Sequence, residues 1–315
     1  MRMADVNERE EPMSIFMKIL LATDGSEPSE IAARTALDLA KRLDSEVHVI
    51  HVAPEHPYVR AYYDLRHQEE EEGLRREDQR MLDEYVDHLR KAGGTVAESY
   101  LRVGEAAKEI VEVAEELGVG LVVLGNRGHG RIRRALMGSV SMGVLRHAHC
   151  SVLIVRGQGP EHQERGSLLG KILVAIDGSE EASEAARAAT EVANATGSEV
   201  HLVYAMQEER YKPHLGPEMW EGWEEGFEHA KRSAHSWVEQ EAERMRGEGT
   251  KAVESHLLIG RPDAAIVWSA EELGAGLVVV GSRGLGGISR ALIGSVSDSV
   301  VRHAHCPVMV IRARG

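Results

Sequence analysis

The chain is one sequence written twice. Lys18-Ile19-Leu20-Leu21-Ala22 returns as Lys171-Ile172-Leu173-Val174-Ala175, and Glu46-Val47-His48 returns as Glu199-Val200-His201, both 153 residues later. From Gly104 and Gly260 onward the offset is 156, so three residues are gained between Met206 and Glu254. A period this long exceeds that of stacked solenoid repeats, and each copy must therefore be a whole domain with its own core. At 315 residues, 43% of them hydrophobic, the chain is long enough for two.

Each copy alternates short apolar runs with amphipathic stretches. In the first, strands are expected near 17–23, 46–53, 95–102, 120–125 and 151–156, with helices near 28–43, 68–92, 105–117 and 139–148. In the second, strands are expected near 170–176, 199–206, 251–259, 276–281 and 307–312, with helices near 181–196, 218–246, 262–273 and 295–304. This alternation predicts an α/β protein of two tandem doubly wound domains, each a five-stranded parallel sheet with right-handed crossovers and helices on both faces. In the order 3-2-1-4-5, strands 1 and 4 diverge, and the crevice at their C-terminal ends is where such a sheet takes its ligand. The expected domains span 14–156 and 170–313. Between them 157–169 is a polar, glycine-containing linker, and 1–13 is an acidic tail.

Two glycine patterns sit at that crevice. A buried-strand signature such as Leu121-Val122-Val123-Leu124 ends at Gly125, and Gly128, Gly138 and Ser139 follow. Gly281, Gly284, Gly294 and Ser295 repeat the spacing G-x2-G-x9-G-S. Glycines let backbone N–H groups approach an anion and can take positive φ, and a small residue with a hydroxyl opening a helix favours phosphate. Ordinary turn chemistry would use the same residues. The double match and the loop cations favour two phosphate cradles: Arg127, Arg131, Arg133 and Arg134 in the first loop, Arg283 and Arg290 in the second. There is no G-x4-G-K-[ST], and Gly128-His129-Gly130 lacks the third glycine of a dinucleotide fingerprint, so no P-loop lysine is available.

Together with Ala22-Thr23-Asp24-Gly25-Ser26 and Ala175-Ile176-Asp177-Gly178-Ser179, this pattern resembles the ATP-binding subclass of the universal stress protein family, as a tandem two-domain member, over nearly the whole chain. The resemblance implies a Rossmann-like fold of the adenine nucleotide alpha-hydrolase-like kind. It implies nucleotide contact at Asp24 and Asp177, with adenine against Val52 and Ala205 and with Ala22 and Ala175 lining the same slot. Ribose and phosphates would fall to Gly125, Gly128, Gly138, Ser139 and Val140, and to Gly281, Gly284, Gly294, Ser295 and Val296. The residues alone leave Asp24 and Asp177 open between a helix-starting turn, nucleotide contact and help in holding a metal ion. Single-domain family members pair through strand 5, so the two halves here are expected to pair within one chain, with further homodimerisation left open. The function implied is that of a stress-response switch binding ATP, ADP or AMP, with or without Mg, and at most a slow ATPase. The alternatives are an ATP-hydrolysing or nucleotidyl-transfer enzyme in the same crevice, or a nucleotide-free dimeric scaffold.

Other features narrow the field. A net charge of −14 argues against nucleic acid and anionic membranes as partners. No apolar run reaches the roughly 18 residues of a membrane span. Two cysteines, one per copy, fit a reducing cytoplasm. His147-Ala148-His149-Cys150 and His303-Ala304-His305-Cys306 are read as helix C-terminal caps rather than metal ligands, and no metal or catalytic residue is assigned. Trp220, Trp223, Phe227 and Trp237 form a helical stripe read as core-facing, with an oligomer interface as the alternative. Residues 51–66, with Pro54, Pro57 and three tyrosines, form either a lid or a surface loop. His129, Arg131 and Arg133 correspond to Leu285, Gly287 and Ser289 in the other copy, which predicts tighter polyphosphate binding in the first half.

Overall fold

The computed structural model describes residues 14–55, 65–128, 137–156, 170–210, 212, 223–284 and 293–313. The expected tail, the linker, most of the 51–66 segment, Trp220 and the loop residues His129, Arg131, Arg133, Leu285, Gly287 and Ser289 lie outside them.

The first half runs β1 (Lys18–Thr23), α1 (Glu27–Leu43), β2 (Glu46–Ala53), α2 (Leu65–Lys91), β3 (Val96–Val103), α3 (Ala106–Leu117), β4 (Leu121–Gly125), α4 (Ser139–His147) and β5 (Ser151–Val155). The second repeats it: β6 (Lys171–Ala175), α5 (Glu180–Thr196), β7 (Glu199–Met206), α6 (Trp223–Gly247), β8 (Val253–Ile259), α7 (Pro262–Leu273), β9 (Leu277–Gly281), α8 (Ser295–His303) and β10 (Val308–Ile311). Each half is a parallel sheet in the order 3-2-1-4-5, and the halves join edge to edge in the order β3-β2-β1-β4-β5-β10-β9-β6-β7-β8.

The period-2 alternation of the strands builds two cores. Ile19 and Leu21 of β1 join Leu121 and Val123 of β4 on one face, where α1, α2, α5 and α6 pack. Leu20 and Ala22 join Val122 and Leu124 on the other, under α3, α4, α7 and α8. Since neither face of a central strand meets water, the strands read as unbroken apolar runs. α1 and α5 press alanines on the sheet (Ala32, Ala33 and Ala36; Ala185, Ala186 and Ala189), and their small side chains allow close approach. On α6, Phe227 is buried and the Trp237 ring meets Tyr204 edge-on at 5.3 Å, so this part of the aromatic stripe faces inward.

Among the described residues the junction is the one antiparallel pairing in the sheet, with Val308 opposite Ile154, Met309 opposite Leu153 and Val310 opposite Val152. Two arginines cross it reciprocally. Arg312 Nη2 donates to Leu145 O at 2.9 Å and Arg146 O at 3.2 Å, and Arg156 Nη2 donates to Arg302 O at 2.9 Å. Each guanidinium thus caps the last carbonyls of a helix in the other half, where the macrodipole favours a cation.

Candidate functional site

The chain leaves β1 for α1 on one face of the sheet and β4 for α4 on the other, which opens a crevice between the two strand ends. A cavity of about 390 Å³ fills it, and one of about 380 Å³ occupies the equivalent place between β6 and β9. Ligand sites commonly fall at roughly 300–1,000 Å³. Ala22, Asp24, Val52, Gly125, Arg127, Gly128, Gly138, Ser139 and Val140 all line the first cavity. Ala175, Asp177, Ala205, Gly281, Arg283, Gly284, Gly294, Ser295 and Val296 all line the second.

A tight turn sets each aspartate. Gly25 has φ 75° and Gly178 has φ 85°, and these are the positions where the turn needs a glycine. Asp24 Oδ1 accepts the Ser26 N–H at 3.0 Å. Asp177 Oδ1 accepts the Ser179 N–H at 3.0 Å and its hydroxyl at 2.6 Å. One carboxylate oxygen therefore starts the helix, as the turn reading expected. The other turns to the loop: an added Cβ on Gly128 would lie 2.1 Å from Asp24 Oδ2, and one on Gly284 2.2 Å from Asp177 Oδ2.

The cradle glycines serve close approach: none of Gly125, Gly128, Gly138, Gly281, Gly284 or Gly294 takes a left-handed conformation, so of the two uses open to them positive φ is not the one that applies. Gly125 would meet the backbone of Pro28 at 2.9 Å and Gly281 that of Glu181 at 2.8 Å, so these two let a helix N-terminus sit against a strand end. The loop ends are pinned together by Gly138 N–H to Asn126 O at 2.9 Å and Ser141 Oγ to Gly125 O at 2.8 Å. The second copy uses Gly294 N–H to Ser282 O at 2.7 Å and Ser297 Oγ to Gly281 O at 2.6 Å. α4 and α8 begin after a glycine with no side-chain cap, leaving their first N–H groups to an outside acceptor at the cavity wall.

Several wall residues escaped the sequence reading. Ile50 and Val203 lie two residues before Val52 and Ala205 on the same strand face, and period 2 could have found them. Ser141 and Ser297 end the repeated Gly-Ser-Val-Ser, an available signal. Ala106, Ile110 and Met137, with Pro262 and Ile266, reach the walls only through packing. Thr23 and Ser29 give the first cavity a hydroxyl pair 3.2 Å apart, where the second has Ile176 and Ala182. Beside this turn, burial pushes the Tyr85 phenol up to about 12, keeping it neutral.

Beside the second cavity Arg283 Nη2 pairs with Glu181 Oε1 at 2.5 Å, and Pro28 holds the place of Glu181 in the first half. Among the described residues lining the cavities there is one carboxylate each, Asp24 and Asp177, and no lysine. Such walls can hold an anion through main-chain N–H groups but offer no paired carboxylates for acid–base work.

The sequence profile of the Universal stress protein family matches residues 16–156 and again 169–312. The chain belongs to the universal stress protein family. A universal stress protein of Mycolicibacterium smegmatis is 30% identical over 305 residues, spanning 94% of this chain and 97% of the relative. One from Methanocaldococcus jannaschii is 35% identical over 143 residues, 45% of this chain and 84% of its own length. The crystal structure of a universal stress protein from Archaeoglobus fulgidus superposes with TM-score 0.67 at 26% identity, covering 94% of this chain and 98% of that one.

The other cysteine- and histidine-bearing motifs of this family member fall away from the cavities. His147 Nδ1 meets Gly143 O at 2.8 Å and His303 Nδ1 meets Ser299 O at 2.7 Å, in the last helical turns. Cys306 is buried, and burial pushes its thiol up to about 12 and that of Cys150 to about 11. No described helix is long and apolar enough to cross a membrane.

Proposed function

We propose that each half binds an adenine nucleotide, ATP or its ADP and AMP relatives, with or without Mg, and that occupancy acts as a switch in the stress response of a cytoplasmic protein. The supporting observation is the pair of cavities at the β1/β4 and β6/β9 strand ends, each meeting an uncapped helix N-terminus and a glycine backbone. The domains, 14–156 and 170–313 joined by 157–169, act as a pseudo-dimer through β5 and β10, with the reciprocal arginine caps giving one half a means of feeling the other. The walls favour binding over turnover, leaving at most slow hydrolysis.

Freshly purified protein is denatured and any released nucleotide identified by mass spectrometry; the native protein is then incubated with ATP and Mg. Stoichiometric unaltered ATP supports the switch, and ADP formed over many turnovers supports the enzyme. In the double variant Gly128→Val, Gly284→Val, the branched side chains displace the Asp24 and Asp177 carboxylates and fill the cavity floor, so retention is expected to be lost. Unchanged nucleotide content in that variant refutes the proposed site.

A further inference from the structure

A second constellation lies on the outer strands of the second half. β7 and β8 run parallel with His201 opposite Glu254, and His256 stands two residues on, on the same face. The three side chains converge. His201 Nδ1 is 3.0 Å from His256 Nε2 and 3.5 Å from Glu254 Oε2, and Glu254 Oε2 is 3.9 Å from His256 Nε2. A tetrahedral ion with bonds of roughly 2.0–2.1 Å needs its ligand atoms about 3.3–3.4 Å apart, close to these separations.

The support behind the ligands matches as well. The His201 side chain is 1% exposed, and its far nitrogen, Nε2, faces Glu199 Oε1 at 3.4 Å while making no well-aligned hydrogen bond. A carboxylate behind a histidine fixes its tautomer and leaves the opposite nitrogen to coordinate, the usual arrangement around a ligating imidazole. With the Nε2 proton directed at Glu199, Nδ1 carries the lone pair. In that tautomer His256 Nε2 donates to His201 Nδ1, and for an ion to bind between them His256 takes its Nδ1-protonated form.

The first half is a built-in comparison. His48, Glu98 and Glu46 occupy the places of His201, Glu254 and Glu199, but Tyr100 replaces His256. The Tyr100 hydroxyl donates to Glu98 and lies 3.5 Å from His48 Nδ1, so a hydrogen bond fills the space between the groups.

We propose that His201, His256 and Glu254 bind a divalent transition-metal ion of the zinc class, in the second half only, with Glu199 orienting His201 and a fourth position open to water. Two imidazoles and one carboxylate suit zinc, whereas magnesium and calcium call for oxygen ligands. The site is separate from the nucleotide crevice: His201 precedes Ala205 by four residues on β7, about 13 Å along the strand.

The test uses the full chain, free of any tag and stripped with EDTA, titrated with zinc ion against a chromophoric chelator. One ion per chain is expected to compete with the chelator. His256→Tyr, which copies the folded arrangement of the first half, should weaken binding by more than about 100-fold, and Glu199→Gln by about 10-fold. Cobalt substitution should give the visible bands of a four-coordinate ion in the wild type and lose them in His256→Tyr. His149→Ala, His303→Ala protein controls for the surface histidines and should keep the ion. Absence of competitive zinc binding, retention of the ion by a folded His256→Tyr variant, or its loss in the surface-histidine control overturns the proposal.

Discussion

At the proposed second nucleotide site Glu181 competes with an incoming phosphate for Arg283, and Glu181→Gln should strengthen ATP binding there. The contact is 2.5 Å long, and the side chains are only 23% and 13% exposed, so solvent screens little of it. A hydrogen bond to a charged group in such a setting contributes about 1.5–3 kcal/mol, and an incoming phosphate must break or share it. The glutamine keeps the shape and an acceptor oxygen but loses the charge. About half of that interaction is therefore released to the ligand, roughly 0.8–1.5 kcal/mol, or about four- to twelvefold in affinity. The ligand-free second half should lose a comparable amount of stability, because the guanidinium is left without its counter-charge. Calorimetric titration of ATP into Gly128→Val protein, where only the second site is open, reads the affinity with and without Glu181→Gln. Unchanged or weaker ATP binding in Glu181→Gln refutes the reasoning.

Gly125→Ala should destabilise the first half by about 1–3 kcal/mol through overpacking, because its Cβ would press on the Pro28 backbone at 2.9 Å; a urea midpoint equal to wild type would show that the helix simply moves. Arg312→Ala removes charged hydrogen bonds to Leu145 O and Arg146 O and should cost about 2–3 kcal/mol, seen as earlier exchange of the β5 and β10 amides, whereas unaltered protection would exclude a capping role. The Cys306 thiol, pushed from 9.0 to about 12 by burial, favours the folded state only while it is protonated. Its contribution is whole below pH 9 and disappears between 9 and 12, so native protein at pH 8 should resist thiol reagents that label it in denaturant; rapid native labelling would contradict this.

Much of this architecture was legible because its signals are local and occur twice. Runs such as Leu121-Val122-Val123-Leu124 can satisfy two cores only as central parallel strands, and the glycine spacing repeats within a segment short enough to be read directly. α2 starts at Leu65, three residues ahead of the expected 68, since its polar opening carries no apolar period to mark it. The reason for individual glycines was not legible. Gly125 looked like a ligand contact, yet its missing Cβ is demanded by Pro28, a neighbour that only the packing of α1 supplies.

From sequence alone came the duplication, the doubly wound class and the two crevices with their aspartates and glycines, all set by periodicity and by backbone rules that act over a few residues. Only the tertiary structure paired Arg283 with Glu181, sent Arg156 and Arg312 across the expected strand-5 junction, and gathered His201, Glu254 and His256. These contacts join residues about 50 to 170 positions apart. Their energies depend on register and burial, which come into being only when distant strands pair.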